Sequence, residues 1–330
     1  MKIKKEYIML AVIILALSVY LILRNPDRTH YDLPKIPEVA GKNISKIEIS
    51  RSDASISLNR KDNTWRIAPK AYPANGSKVE NMLDIIEQLM LTALVSESKN
   101  YSRYDLDDKK KITVKAWAGD KLRREFEVGK AATSYRHTFV KLADDHRVYH
   151  ARGNFRSKFD QTADNLQDKA VLSFEKAEIQ EIRMAKGKQE MVLTQTQVGS
   201  KISPAEEADA ESPPSEKKEE TVWQTSDGKK ADDAKLNQLL ASLSNLRCEK
   251  YIDECKKEDF TNPIFTIELK GTEEYSLSIF SKTDKHAKDY PAVSSANDYP
   301  FLLSNSKADN LMKRPDELLK KPGGAKPMTE

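Results

Sequence analysis

At 330 residues the chain has room for one large domain or two ordinary ones, and 38% hydrophobic against 32% charged residues suits a folded body with a polar surface. Its 55 Lys and Arg against 51 Asp and Glu leave a net charge of +4, too small and too interspersed to point to a nucleic-acid partner. Two cysteines exclude a disulfide-dense scaffold, and 14 Pro with 11 Gly exclude wholesale disorder.

The first predicted element is an uncharged run, Tyr7 to Leu23, reading YIMLAVIILALSVYLIL. At about 1.5 Å per residue it makes roughly 25 Å of helix, near the lower limit for a membrane span. Tyr7 and Tyr20 lie near its ends, where amphipathic rings suit the interface, and Arg24 can snorkel outward. A cleaved signal peptide is the rival reading, but the run ends in LILRNPDR without a small-x-small site. The expectation is a single-pass anchor over 7–24, preceded by a cytoplasmic tail (1–6) and followed by a linker (25–43). Lys2, Lys4 and Lys5 before the run outnumber Arg24 and Arg28 after it. The positive-inside bias therefore favours a cytoplasmic N-terminus and an extracytoplasmic C-terminal body, which in a Gram-negative bacterium would mean an anchor in the inner (cytoplasmic) membrane and a periplasmic body.

Period-2 alternation predicts strands over 46–50, 55–60 and 64–67, with Lys61, Asp62 and Asn63 supplying turn chemistry between the last two. An amphipathic helix is predicted over 77–90, with Val79, Leu83, Ile86 and Met90 on one stripe and Ser77 and Glu80 as a capping box. Strands follow over 94–98, 112–118, 122–128, 138–142 and 147–150, the Ala118–Lys121 stretch marking a hairpin. Short helical segments around 154–160 and 163–168 close the module. An antiparallel sheet with a helix on one face would bury that stripe, giving an α+β layer.

The same pattern then recurs. The sixteen residues from Ala74 to Leu89 match Ala231 to Leu246 without a gap, each with Lys fifth (Lys78, Lys235) and with coincident apolar positions, the second set being Leu236, Leu240 and Leu243. Outward from the helix, Trp65 pairs with Trp223, Ile44 and Ile47 with Ile179 and Ile182, and Leu58 with Leu193. Phe126 and Val128 pair with Leu277 and Ile279, Phe139 and Leu142 with Tyr290 and Val293, and Leu166 with Leu318. The fold expected is thus two tandem divergent α+β modules, 44–174 and 175–322, before a short tail (323–330). An insertion over 199–221, acidic, rich in Ala, Pro and Ser and without aromatics, reads as a disordered hairpin tip in the second module.

The stretches WRIAPKAYPANGSKVENMLDIIEQL and LVSESKNYSRYDLDDKKKITVKAWAGDKLRREFEVGKAATSYRHTFVKLADDHRVYHARG resemble the bacterial DUF4340 family. The resemblance covers Ile44 to about Phe174 well and the second copy weakly. It implies an anchored envelope protein, and the frequent encoding of members beside ABC-transporter components implies a transport or envelope-complex context. It carries no catalytic residues.

The residues themselves name no catalytic set and no cofactor. GxGxxG and GxSxG are absent, and Gly129-Lys130 is followed by Ala131 rather than Ser or Thr. His146 and His150 are four apart beside Asp144 and Asp145, but in a turn-then-strand pattern, so no metal site is assigned. Cys248 and Cys255 stand either as a disulfide closing a short loop or as two free thiols. Tyr135, Arg136 and His137 after a Gly-Lys turn, with Arg123, Arg124, Arg147, Arg152 and Arg156 nearby, form a candidate recognition face for an anionic ligand, a lipid headgroup or a protein; the bland alternative is a solvated sheet face. Trp65 and Trp223, being repeated, are read as core. The function expected is a non-catalytic binding or scaffold component of an envelope or transporter-associated complex. The alternatives are an envelope hydrolase and a two-lobed solute-binding protein.

Overall fold

The computed structural model describes residues 5–24, 32–198, 220–253, 255–284 and 286–320. The expected C-terminal tail, most of the cytoplasmic tail, part of the linker and most of the acidic insertion lie outside these residues. The chain divides at Asp168/Lys169 into two compact units.

Helix α1 (Lys5–Arg24) carries the uncharged run. Val12, Ile13, Ile14 and Leu15 cover a full turn, and all four are exposed, between 47% and 68%. Among the described residues no helix is long and apolar enough to cross a membrane.

The first unit continues through β1 (Lys46–Ser50), β2 (Ser55–Lys61), β3 (Thr64–Ile67), β4 (Tyr72–Pro73), α2 (Gly76–Glu87), β5 (Leu91–Ser96), β6 (Ile112–Ala118), β7 (Lys121–Ala131), β8 (His137–Leu142), β9 (Val148–Arg152), α3 (Arg156–Phe159) and α4 (Ala163–Leu166). The strands form one antiparallel sheet in the order β4-β3-β2-β1-β6-β7-β8-β9-β5. Asp62 and Asn63 both take positive φ (48° and 64°), which matches the β2–β3 connection to the twist of its strands.

Alternation puts Ile47, Ile49, Leu58, Val114, Ala116, Phe126 and Val128 on the inner face, where they pack with Val79, Met82 and Ile86 of α2. Each of these side chains larger than Ala116 contributes about 1.5–3 kcal/mol by leaving water. The outer face carries cross-strand charge pairs, among them Lys115–Glu125 at 3.1 Å and Lys141–Glu127 at 3.0 Å. The helix stops at Glu87, so Met90 leaves the expected stripe and stands 49% exposed, while Met82 joins the stripe. Its cap is Asn75, whose side chain accepts the Lys78 N–H at 3.1 Å, not Ser77, which lies inside the first turn.

The second unit comprises β10 (Ala170–Ser173), β11 (Glu181–Lys186), β12 (Gln189–Val198), β13 (Glu220–Thr225), α5 (Asp233–Leu243), β14 (Asn245–Arg247), β15 (Lys250–Tyr251), β16 (Phe265–Lys270), β17 (Glu274–Ile279), β18 (Asp289–Ser294), β19 (Phe301–Ser304) and α6 (Asn305–Leu311). Glu220 and Thr221, expected in the disordered insertion, are instead the first residues of β13, paired with Val198 and Gln197. The sheet order β13-β12-β11-β16-β17-β18-β19-β15 repeats the first unit strand for strand, apart from the added edge of β4.

The repeat extends to single hydrogen bonds. Ala74 N–H donates to Trp65 O and Ala231 N–H to Trp223 O, at 2.8 and 2.9 Å. Asn75 N–H reaches Leu166 O and Asp232 N–H reaches Leu318 O, both at 2.7 Å. The recurring lysines find their reason here: Lys78 Nζ donates to Asn165 O and Lys235 Nζ to Glu317 O, each tying its helix start to the closing turn.

Two expectations change. Val140 faces Val128 as Ala292 faces Ile279, so β8 matches β18 as Phe139 with Pro291, one residue from the expected Phe139–Tyr290 pairing. A one-residue slip exchanges the faces of a strand, and the corrected register puts buried Val140 opposite buried Ala292. Trp65 is buried as expected, but Trp223 is only half-buried.

Candidate functional site

The residues singled out by the sequence do not converge. Tyr135 sits at the tip of the β7–β8 turn with φ 55° and is 73% exposed, its N–H on Ala132 O at 2.8 Å. Arg136 accepts the Gly153 N–H on its carbonyl at 2.8 Å, a backbone role. His137 opens β8 and stacks on His150 of β9 with ring centroids 5.2 Å apart; Phe139 packs on His150 at 4.8 Å. Burial first, then the neighbouring His137, holds His150 below its ordinary pKa. Arg156 is spent on Val128 O and Lys110 O, at 3.0 and 2.6 Å. Among the described residues no three His, Cys, Asp or Glu side chains are placed to hold a metal ion.

Both cysteines are free thiols. Cys248 is buried just after β14, with its N–H on Lys169 O at 2.8 Å, whereas Cys255 faces solvent. The two cysteines are thus unpaired in this structure, one buried and one exposed. Burial pushes the Cys248 thiol up to about 11.

Three of the five arginines do meet, in a groove of about 530 Å³ in the first unit. One wall is the strap Pro34–Pro37 that precedes β1; the opposite wall comes from the β7 and β8 ends, with Leu122 and Leu142, and Leu89 lies between. Arg124 forms part of the lining and is 6% exposed. Its guanidinium donates to Ile86 O, in the last turn of α2, and to Pro37 O, so it joins the helix end to the strap. A cation suits the negative end of a helix. Burial lowers the Arg124 pKa from its ordinary value.

At the groove's far end Asp145 is clamped. Arg147 donates Nε to Oδ1 at 3.0 Å and Nη2 to Oδ2 at 2.7 Å, and Tyr149 OH donates to Oδ2 at 2.6 Å. The Arg147 guanidinium beside Asp145 holds its carboxyl well below the usual carboxylate range. Burial, followed by the bond to Asp145, pushes the Tyr149 phenol well above its usual value. The cluster is an inert brace in which every group is committed to a partner.

Arg123 is different. Trp117 faces Leu122 and Ala116 faces Arg124, so Arg123 is the extra residue of a β-bulge in β7. The bulge is missing from the second unit, where β16 and β17 pair without interruption. Its consequence is an exposed guanidinium at the groove rim that forms no ion pair among the described residues. Arg123 joins a basic cluster in the sequence, but the bulge is set by cross-strand register and leaves no sign there.

The family defined as a domain of unknown function, DUF4340, matches residues 65–263. The chain belongs to the DUF4340 family. The match opens at Trp65 in β3 and closes at Pro263, just before β16, so DUF4340 likeness starts later and reaches further into the second unit than the resemblance over 44–174 suggested. No curated protein and no solved structure matches the chain.

Proposed function

We propose that this DUF4340 protein is anchored in the bacterial inner membrane by α1 and presents its two-unit body, on the periplasmic side, as a non-catalytic binding or scaffold component of an envelope or transporter-associated complex. The observation that carries the reading is the exposed apolar surface of α1. Met9, Leu10, Val12 to Leu15, Leu17 and Val19 to Leu21 stand 45–68% exposed, all round the helix. A helix apolar all round is stable only in a protein core or in lipid. The uncharged run Tyr7–Leu23 lies wholly within α1 (Lys5–Arg24).

The body supports a binding role by its build. Its sheets have closed cores, its Asp145 brace is fully committed, and the groove of its first unit mixes apolar walls with exposed cations.

The test is fractionation of the full chain expressed in a bacterial envelope. The wild type stays in the membrane pellet after alkaline carbonate, and Ile13→Lys with Leu17→Lys releases it, since a lysine at mid-span opposes insertion by about 2.5–3.5 kcal/mol. Crosslinking in intact cells then captures a membrane protein reproducibly. Loss of the wild type to the supernatant, or indifference to the two lysines, defeats the anchor; a body recovered only as a free monomer defeats the scaffold role.

A further inference from the structure

We propose that the first unit's groove binds the anionic headgroup and adjoining acyl chain of a membrane phospholipid. The proposal rests on the anchoring reading above.

Comparison of the two units shows what has been opened. In the second unit the segment equivalent to the strap is β10, which pairs with β14. Ser294 Oγ donates to Val171 O and Asn297 Nδ2 reaches Ala170 O at 3.5 Å, so the hollow is sealed. In the first unit the strap carries Pro34 and Pro37, which lack the N–H a ladder requires. Among the described residues, Pro34–Glu38 makes no backbone–backbone hydrogen bond. Leu142 stands where Ser294 closes the second unit, and the strap hangs on Arg124 instead. A volume of about 530 Å³ is left, within the range of small-molecule sites.

The chemistry of that opening is amphipathic. Ile36, Leu89, Leu122 and Leu142 supply apolar wall, and Leu122 is 46% exposed. Lys35 and the bulge residue Arg123 are exposed and make no ion pair among the described residues, whereas Arg147 is neutralised by Asp145 and Glu125 by Lys115. Among the described residues Asp144 is the single unpaired carboxylate of the lining. A basic rim over an apolar trough fits an acidic head with a hydrocarbon tail. The second unit carries no cation at the matching place: Tyr275 stands opposite Leu269 as Arg124 stands opposite Ala116, and no bulge residue adjoins it. Reach also favours lipid. Nine residues separate the end of α1 at Arg24 from Pro34, ten Cα-to-Cα steps that reach at most about 35 Å when fully extended.

The test uses the full chain in phosphatidylcholine nanodiscs containing phosphatidylglycerol with a diazirine in one acyl chain. Irradiation places adducts on Ile36, Leu89 and Leu142. Lys35→Glu with Arg123→Glu, both on exposed positions that leave the core intact, lowers this labelling about tenfold, the scale of one lost charge-assisted hydrogen bond. Lys250→Glu, on the second unit, leaves it unchanged.

Adducts absent from the groove, or indifferent to the charge reversals, overturn the proposal. So does equal labelling by the phosphatidylcholine analogue, or displacement by inorganic phosphate, which would mark a free-anion site. Displacement by a polyglutamate peptide would assign the groove to an acidic protein segment and equally overturn it. Carbonate extraction separates the two readings: a protein retained in the membrane with an unlabelled groove sinks this proposal alone, and one that washes out yet is labelled in mixed micelles sinks only the anchor.

Discussion

Replacing Arg124 by methionine should destabilise the first unit by about 2–3 kcal/mol and loosen the strap. The guanidinium supplies hydrogen bonds to Ile86 O and Pro37 O. Each bond to a charged donor is worth ~1.5–3 kcal/mol, but the two carbonyls respond differently to its loss. Ile86 is fully buried, so its carbonyl loses a partner in a place water does not reach, at a cost of ~1–3 kcal/mol. Pro37 is exposed, and its carbonyl regains water at little cost. Methionine preserves most of the stem packing and removes the burden of desolvating a cation, which offsets part of the loss.

The assay is urea denaturation of the full chain in detergent, read by hydrogen exchange in the α2 end and by protease cleavage within 34–38. Arg124→Lys, with one head for two carbonyls, should recover about half of the loss. A methionine variant as stable as the wild type, with a strap no more susceptible to protease, refutes the view that Arg124 joins helix and strap.

Two further outcomes follow from the brace and the thiols. Asp145 is held below its unfolded value of about 3.9. Its contribution is therefore complete above about pH 4 and is lost as pH falls through that value toward its folded pKa. The stability gap between wild type and Asp145→Asn should be largest at neutral pH and shrink in acid; a gap constant from neutrality to about pH 2 would show that Arg147 and Tyr149 are not stabilising the carboxylate. Iodoacetamide near neutral pH should modify Cys255 in the native chain and Cys248 only after unfolding, as read by intact mass. Two thiols unreactive until a reductant is added would restore the disulfide.

Local periodicity carried the framework. Lys46–Ser50, Thr64–Ile67 and Ile112–Ala118 are strands over the ranges that alternation predicts, because each has one face on the core. The duplication was legible through coincident apolar positions and through the lysine that each helix start presents to its closing turn. What escaped depends on geometry that alternation does not encode. Arg124 reads as one more surface cation, yet its length lets it bury against two backbone carbonyls. Met90 continues a helical stripe in sequence, but the helix ends at Glu87. The β8–β18 register slipped by one because Pro291 and Ala292 are both buried, so burial does not alternate there.

The same comparison explains why the groove arose in one unit and not the other. Three changes open it: prolines in the strap, a larger apolar side chain where Ser294 seals the second unit, and one inserted residue in β7. The strap and the bulge lie at the sheet margin, and Leu142 and Ser294 stand at the end of the inner face, opposite Phe126 and Leu277. The rest of that face is kept, Ile47, Val114 and Phe126 corresponding to Ile182, Ile267 and Leu277 with all six buried. Core positions are constrained by close packing, whereas a strap and a bulge at the sheet margin can vary without disturbing it. A duplicated module can therefore keep one copy closed while the other acquires a binding surface. On this reasoning, rebuilding the seal in the first unit should abolish groove labelling while leaving its sheet intact.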